Sequence, residues 1–203
     1  GQSPPRHPVA SALAEVIREF QLDRRPFDTL LTARAVDLED TPPANSEALV
    51  AYARDTSASL NEITLSILGA TADGSRDAAR EVGIAWALIG LLRSLPHQAR
   101  RRRLYLPADL CHRAGISPEA VFAGKAGPGL AEVVSSVAAT ATRHLEMAAT
   151  FRRDVDRSAL PVVLPAVLAR GYLRRLARAD YDPFSASDRN AGPMQVGGLM
   201  WAA

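Results

Sequence analysis

The densest run of charge in this chain of 203 residues follows an apolar segment, and all of it is positive. Residues 88–107 have the sequence LIGLLRSLPHQARRRRLYLP, with four consecutive arginines at 100–103 and further polar groups at Arg93 and Tyr105. Adjacent guanidinium groups repel one another unless an anion or water lies between them. The segment could therefore bind a diphosphate, an anionic lipid head group, RNA or an acidic protein. The plain alternative is a solvated basic loop.

The composition narrows these alternatives. The formal net charge is only +2, and aromatic residues make up 5% of the chain. Single-stranded nucleic-acid sites usually offer several stacking aromatics, whereas Tyr105 is the only aromatic residue close to the arginine run. We therefore expect no nucleic-acid partner.

One pair of carboxylates has the spacing of a metal-binding helix. Asp73 and Asp77 form a D-x-x-x-D pattern, which on a helix would turn both carboxylates toward one magnesium ion. Gly74 and the expected helix cap Ser75 place Asp73 before the helix. We therefore interpret this pair as a loop and a helix start.

A second acidic group is harder to interpret. Asp37 and Asp40 fall at a predicted helix C-terminus, where the helix dipole disfavours negative charge. These two residues could bind a metal or a partner protein. The alternative is that they lie at a solvated helix end. Cys111 is the single cysteine and adjoins His112, so the chain has neither an internal disulfide nor the spaced ligand pairs of a zinc site. No metal site is expected.

Helices must position these groups, because the apolar residues recur with a helical period and no alternating strand pattern is found. The pattern predicts an all-α fold of about seven or eight helices in one domain, residues 1–184, followed by an irregular tail, 185–203. The buried helix before the arginines is expected to begin at Ser75 and to end at Pro96. No apolar run is long enough to span a bilayer. The opening GQSPPRHP lacks the apolar region of a signal peptide and is interpreted as a loop.

Several segments resemble the squalene/phytoene synthase family in order and spacing. They are LYLPADL at 104–110, AGI at 114–116, the helix at 82–93, YARDTSASL at 52–60 and the helix at 27–38. The resemblance covers about residues 27–184. It implies a helical bundle of the isoprenoid-synthase type. It also implies a chain that begins after the family's N-terminal helices, which carry its first aspartate motif.

The resemblance also suggests which residues bind an anion. The family's second aspartate-rich motif has the form R-D-x-x-E-D-x-x-x-G-R-x-Y-L-P, and Arg93, Arg103 and Tyr105 match its arginines and tyrosine. With Arg100 they are the candidate ligands for a diphosphate or another anion. The family's prenyl cavity implies four lining candidates: Tyr52, Thr56, Ala58 and Leu88.

The metal-binding acids of that motif are replaced. Ser94 stands at the first aspartate, His97 and Gln98 stand at the Glu-Asp pair, and Arg102 stands at the glycine. In the family, carboxylates hold the magnesium ions that hold the leaving diphosphate. A hydroxyl, an imidazole and an amide do not supply hard anionic ligands for magnesium. The degenerate motif therefore predicts no prenyl transfer by the family mechanism, no catalytic residue and no cofactor.

One branch of the family shares these departures. The segment from Arg93 to Pro107 and the RADYDPF at 178–184 resemble the non-catalytic complex I (NADH dehydrogenase) assembly factors and their alphaproteobacterial relatives. This implies an assembly role, a respiratory-complex subunit or an isoprenoid lipid as partner, and a location in the cytoplasm or peripheral to the inner membrane on its cytoplasmic side. The alternatives are an active prenyl-diphosphate synthase using Mg²⁺ and an isoprenoid-lipid-binding protein.

Overall fold

A computed structural model describes residues 7–39, 41–125 and 127–187 of the chain. These residues form helices and connecting turns with no β-strand, which confirms the all-α prediction. The α-helices are α1 (Pro8–Glu19), α2 (Arg25–Ala35), α3 (Ser46–Ala53), α4 (Ser59–Ile67), α5 (Asp73–Arg100), α6 (Ala108–Arg113), α7 (Pro118–Phe122), α8 (Pro128–Thr150), α9 (Leu160–Val163), α10 (Pro165–Arg178) and α11 (Pro183–Ser187). Short 3₁₀ turns lie at Val36–Leu38, Arg152–Asp154 and Arg157–Ala159.

The core is built around α5, which packs along the length of α8. The face of α8 that the 3.6-residue period predicts to be apolar is buried, from Leu130 through Val137 to Leu145. From α5, Leu88 and Leu92 enter the same core and are completely buried. Each fully buried leucine contributes about 2 kcal/mol relative to an exposed one. This pair of helices is therefore the scaffold that holds the remaining elements.

The start of α5 corrects the sequence prediction. Ala72 is the N-cap and Asp73 is the first helical residue, so Asp73 does not lie before the helix. Ser75 is no cap: its buried hydroxyl accepts from the Asp156 backbone N–H at 2.8 Å. Asp73 and Asp77 each pair with an arginine of their own helix, at 2.9 Å and 2.8 Å. Tertiary contacts with Asp156 thus decided where the helix begins.

Proline 96 does not end α5, contrary to the sequence prediction. The helix continues through Pro96 to Arg100. Pro96 has no N–H to give to the preceding turn, a loss that normally costs about 3 kcal/mol in a helix interior. Leu95 and Ala99, on either side of it, are 1% and 3% exposed. We attribute the continuation of the helix to the burial of these two side chains.

The helix predicted between residues 46 and 68 contains a wide turn in its middle. The residues of α3 and α4 are joined by a π-helical turn, Arg54–Ala58, so the helix is continuous but carries one residue more than an α-helix would in this turn. Gly83 of α5 lies against this turn, and a Cβ on Gly83 would fall 2.8 Å from Ala58 Cα. The two backbones are therefore closer than any side chain on Gly83 would permit.

A buried polar pair joins α5 to α8. Glu81 is 4% exposed, and its Oε2 lies 2.6 Å from Nδ1 of His144. Its other carboxylate oxygen accepts from Arg80 Nε at 3.3 Å. Both carboxylate oxygens are thus occupied, as burial of this group requires.

Both ends of the chain lie partly outside the described residues. The predicted loop at residues 1–6 and residues 188–203 of the predicted tail lie outside the described residues. Helix α11 extends to Ser187, three residues past the boundary that the sequence suggested at 184. Within the described part of the chain, every helix is too short or too polar to cross a membrane.

Candidate functional site

Three elements meet around the carboxylate of Asp37, which lies in the 3₁₀ turn after α2. Tyr52 of α3 and Tyr105, in the segment after α5, both donate their hydroxyls to Asp37 Oδ1, at 2.7 Å and 3.0 Å. Arg34 Nη1 donates to Oδ2 at 3.0 Å. Arg103 Nη1 donates to the Asp37 carbonyl oxygen at 2.6 Å. We call these five residues the Asp37 cluster.

The electrostatics of the Asp37 cluster keep its groups in their ordinary charge states. Burial by itself raises the pKa of the Asp37 carboxyl, but the hydrogen bonds from the phenols and the guanidinium outweigh burial and hold the pKa below the ordinary value of 3.8. Burial and the bond to Asp37 raise the pKa of the Tyr52 and Tyr105 hydroxyls. At neutral pH the carboxylate is therefore ionised and both phenols are protonated donors. The cluster therefore holds two phenols and two guanidinium groups around Asp37.

The four consecutive arginines point in different directions. Arg100 and Arg101 are exposed at the end of α5. Arg102 has φ +55° and stacks its guanidinium on the Phe122 ring at 5.1 Å. Arg103 is half-buried in the Asp37 cluster. The plain alternative of a solvated basic loop thus describes the first two arginines and does not describe the last.

The conformation of Arg102 explains a feature of the family motif. A positive φ after the last turn of a helix favours glycine, which has no Cβ to strain the backbone. The squalene/phytoene synthase motif has glycine where this chain has Arg102. The backbone retains the conformation suited to glycine, and the arginine side chain is stabilised instead by its contact with Phe122.

Arg93 contacts a different aromatic ring. Its guanidinium carbon lies 5.8 Å from the centre of the Tyr172 ring, as does that of Arg175. Tyr172 is 4% exposed, and its hydroxyl has no hydrogen-bond partner among the described residues. Burial raises the pKa of this hydroxyl to about 12, so it remains a donor at neutral pH. The predicted anion ligands therefore divide: Arg103 and Tyr105 meet in the Asp37 cluster, and Arg93 lies beside Tyr172.

The replaced metal positions form a neutral pair. Gln98 Nε2 donates to Ser94 Oγ at 2.6 Å, one helical turn apart on α5. His97 is exposed on the same helix. In the described ranges, no three His, Cys, Asp or Glu side chains come together as a metal site would require. Since magnesium prefers carboxylate oxygens, the residues at these positions do not fit a magnesium ion.

The four predicted cavity-lining residues have separate environments. Ala58 lines a cavity of about 340 Å³ between α2, the π-helical turn, α4 and α5. Thr56 is buried, and its hydroxyl donates to the Tyr52 carbonyl at 2.7 Å. Leu88 is completely buried in the core, and Tyr52 belongs to the Asp37 cluster. A prenyl cavity shared by these four residues stays a prediction.

Sequence reasoning missed Arg34 and Tyr172 and left Asp37 unresolved. For Asp37 a signal was present: a carboxylate at a helix C-terminus is unfavourable unless donors compensate it. The donors come from Tyr52 and Tyr105, which are distant in sequence, so only the folded chain identifies them. For Tyr172 the arginine-rich sequence of α10 gave no signal, because helical period alone does not place Arg93 against that ring.

Replacing Asp37 with asparagine is expected to lower the free energy of unfolding at pH 7 by about 1 kcal/mol, because asparagine weakens the charge-assisted hydrogen bonds. The pKa of Asp37 is lowered in the folded state. Its contribution to stability is therefore complete above the unfolded-state pKa and declines as the pH falls through the folded-state value. Urea unfolding of both proteins at pH 7 and pH 3 should show a smaller difference at pH 3.

Asp28→Asn provides a matched control for that measurement. Asp28 pairs with Arg24 at 2.9 Å, but its side chain is 56% exposed. Exposed pairs of this kind contribute little to stability. An equal loss in both variants at pH 7 would contradict a special role for Asp37.

Comparison with known proteins identifies relatives over most of the chain. The sequence model of the squalene/phytoene synthase family matches residues 1–195. NADH dehydrogenase (ubiquinone) complex I, assembly factor 6 from Bos taurus is 33% identical over 185 residues, which cover 91% of this chain and 56% of that protein. The Homo sapiens protein of the same name is 31% identical with the same coverage. Chloroplastic phytoene synthase from Narcissus pseudonarcissus is 28% identical over 189 residues, which cover 86% of this chain and 43% of that protein. The chain thus spans about half the length of these relatives.

Solved structures confirm the fold. A dehydrosqualene synthase in complex with ligand superposes with a TM-score of 0.80 at 20% identity, covering 98% of this chain and 70% of that one. Squalene synthase HpnC from Alicyclobacillus acidocaldarius superposes with a TM-score of 0.77 at 19% identity, covering 87% of this chain and 67% of that one. At such identities the likeness establishes the helical architecture alone.

Proposed function

The chain belongs to the squalene/phytoene synthase family, and from this premise we propose that it is a non-catalytic member acting in the assembly of NADH dehydrogenase. The observation that carries the proposal is the hydrogen bond between Gln98 and Ser94. These side chains occupy the positions at which the family's second motif has aspartates. A neutral amide and a hydroxyl do not replace the Lewis-acid chemistry that a carboxylate-held magnesium supplies to a leaving diphosphate.

The assembly role is supported by the named relatives. The proteins from Bos taurus and Homo sapiens are called assembly factors of complex I, and each covers 91% of this chain. A subunit of a respiratory complex is accordingly the proposed partner. The corresponding location is peripheral to the inner membrane, on the side equivalent to the mitochondrial matrix.

The second candidate is a prenyl-diphosphate synthase or an isoprenoid-lipid-binding protein. The favouring observation is that Arg103 and Tyr105, two residues of the family motif, are held together by Asp37. Phytoene synthases also match most of this chain. An anion held at this point without magnesium chemistry would suit a carrier of an isoprenoid diphosphate.

Two measurements distinguish these functions. The full-length protein, incubated with farnesyl or geranylgeranyl diphosphate, Mg²⁺ and NADPH, is expected to form no C30 or C40 product. Deletion of its gene is expected to lower the amount of assembled NADH dehydrogenase, and the wild-type gene should restore it.

Clear turnover would overturn the non-catalytic proposal if Arg103→Ala abolished it and Arg101→Ala did not. Arg101 is the matched control because it is an exposed neighbour in the same basic run. Normal amounts of NADH dehydrogenase after deletion would remove the assembly role.

A further inference from the structure

We propose that the groove between α8 and α10 is a docking site for an amphipathic helix of another protein, one that carries acidic side chains along one edge. The groove has a volume of about 510 Å³. Its lining includes no residue of the Asp37 cluster and neither Ser94 nor Gln98. The proposal therefore does not rest on the function proposed above.

One edge of the groove carries a row of arginines. Arg170, Arg174 and Arg178 follow one another at intervals of four residues on α10, which places them along one side of that helix. All three are exposed. Arg170 donates to the Leu145 carbonyl oxygen at 3.1 Å. Within the part of the chain that the structure describes, none of the three forms an ion pair.

Arginines on other helices differ from this row. Arg76, Arg80 and Arg113 each pair with a carboxylate about one turn away on their own helix, at 2.9 Å, 2.8 Å and 3.1 Å. Their charge is thus balanced inside the chain. The row on α10 is a basic surface that the described residues leave without such partners, so an acidic group from outside can pair with it.

The charges around the groove select an anionic partner. Glu146 of α8 is the one carboxylate in the lining, and it forms no ion pair with the described residues. Asp180, two residues after Arg178, forms none with that arginine either. Three arginines against Glu146 leave two positive charges in excess. The Tyr181 hydroxyl at the groove is a further possible donor to an acceptor of the partner.

The spacing of the row fits a second helix. Residues four apart on an α-helix lie about 6 Å apart along its axis. Acidic residues at every fourth position of a partner helix have the same interval, so a helix lying along α10 can place one carboxylate beside each arginine. Exposed ion pairs contribute little affinity. The row therefore sets the orientation and the choice of partner, and apolar contacts must supply the rest.

The groove offers those apolar contacts beside the arginines. Its apolar lining consists of Ala138, Ala139, Leu145, Leu173 and Ala177. The three alanines have no side-chain atom beyond Cβ, which leaves the space between the two helices open. Leu145 is 1% exposed, so it lies at the bottom of the groove. A helix that places apolar side chains in such a groove and acidic ones beside it is a common form of recognition.

A nucleic acid or a bilayer fits this surface less well. Single-stranded nucleic-acid sites usually stack bases on several aromatic rings, whereas the lining contains one, Tyr181. A helix that binds a bilayer inserts apolar side chains that project from the protein. Here Leu145 is buried and the arginines beside it are exposed. The recessed apolar lining therefore favours a partner that enters the groove.

Binding of a synthetic peptide to the whole chain, measured by fluorescence anisotropy at low ionic strength, tests the proposal. The probe is a labelled helical peptide of about 18 residues in an alanine background, with glutamate at every fourth position and leucine after each glutamate. It should bind more tightly than the same peptide with glutamine in place of glutamate. Added salt should reduce that difference.

Two kinds of variant separate the effect of charge from the effect of shape. Arg174→Glu should weaken binding of the acidic peptide about tenfold, because it replaces an attraction with a repulsion. Ala177→Trp should weaken binding about as much without changing any charge, because the indole fills the groove. Ala139→Trp makes the same change on the wall formed by α8, so the effect of shape can be measured on either helix.

Arg101→Glu and Ala149→Trp are the matched controls. Both residues are exposed and lie outside the groove, Arg101 at the end of α5 and Ala149 on α8. Neither replacement should change the affinity for the acidic peptide. Thermal unfolding of every variant verifies that it is folded before binding is measured.

Several results would overturn the proposal. They are equal or absent binding of the acidic and glutamine peptides, and wild-type affinity in Arg174→Glu and in the two groove-filling variants. Vesicles containing phosphatidylglycerol or a uridine oligonucleotide that bound through Arg174, while the acidic peptide did not bind, would assign the row to another class of partner. Peptide binding only after removal of residues 188–203 would assign the groove to the chain's own tail. Self-association lost in Arg174→Glu would assign it to a second copy of the chain.

Discussion

Replacing Gly83 with alanine is expected to lower the free energy of unfolding by about 2 kcal/mol. A Cβ at this position would lie 2.8 Å from Ala58 Cα, 3.0 Å from Ala58 N and 2.9 Å from Asn61 Nδ2. Two of these atoms belong to the backbone of the π-helical turn, so α5 or the turn must move. Overpacking of this kind typically costs about 1–3 kcal/mol, which outweighs the gain of about 1 kcal/mol in helix propensity.

Gly90→Ala is the control for this substitution, since it makes the same chemical change in the same helix. No atom lies within 4 Å of the position that its Cβ would take, and Gly90 is exposed. At that position only the higher helix propensity of alanine matters, so we expect the free energy of unfolding to rise by up to about 1 kcal/mol. The urea concentration at the midpoint of unfolding should thus fall for Gly83→Ala and rise for Gly90→Ala. Destabilisation of equal size in both would contradict the close approach of α5 to the turn.

The second large effect is expected at Glu81, where alanine should cost about 2 kcal/mol. The substitution leaves a void in the core and removes Glu81 Oε2, the hydrogen-bond partner of Nδ1 of His144, whose side chain is only 16% exposed. Arg80 also loses a partner, but it keeps Asp77 at 2.8 Å. The measurement is urea unfolding at neutral pH.

A double-mutant cycle measures the coupling energy between Glu81 and His144 apart from their contacts with other residues. If the 2.6 Å contact contributes as described, Glu81→Ala and His144→Ala together should cost less than the sum of the single changes. Glu146→Ala, an exposed position on α8, should change stability by less than about 0.5 kcal/mol. Strict additivity of Glu81→Ala and His144→Ala would show that the contact between α5 and α8 carries no coupling energy.

Much of the scaffold could be predicted from the spacing of apolar residues. The buried face of α8, from Leu130 to Leu145, follows directly from the helical period, because one continuous apolar stripe packs on one neighbour. The family followed from the order of short motifs, and the matching sequence model confirms it. Both signals are local in sequence, which is why they were accessible without a structure.

The errors arose where distant contacts outweighed local preference. Pro96 has a strong intrinsic tendency to end a helix, but the buried Leu95 and Ala99 keep α5 continuous. Ser75 resembles a helix cap, but it bonds to Asp156, which lies 81 residues further along the chain. No rule confined to a window of neighbouring residues contains such contacts.

In the candidate site, too, local sequence signals were visible and contacts between distant residues were not. The matches at Arg103 and Tyr105 were visible as a motif. Asp37 accepts from Tyr105 through its carboxylate and from Arg103 through its backbone carbonyl, but in the sequence it was visible only as an unfavourable charge at a helix end. The sequence alone is compatible with Asp37 as a metal or partner ligand or as a solvated residue. Its donors are two phenols and two arginines of the chain itself, so the conflict is resolved within the fold.

The π-helical turn at Arg54–Ala58 has a consequence for how relatives of this chain are aligned. One additional residue in a helical turn rotates everything that follows by about 100° around the helix axis. A relative with a regular α-helix at this point would need a one-residue gap there, although both helices would appear uninterrupted. An ungapped alignment would assign the residues of α4 to the wrong face, so substitutions beyond Ala58 would be compared between positions with different neighbours.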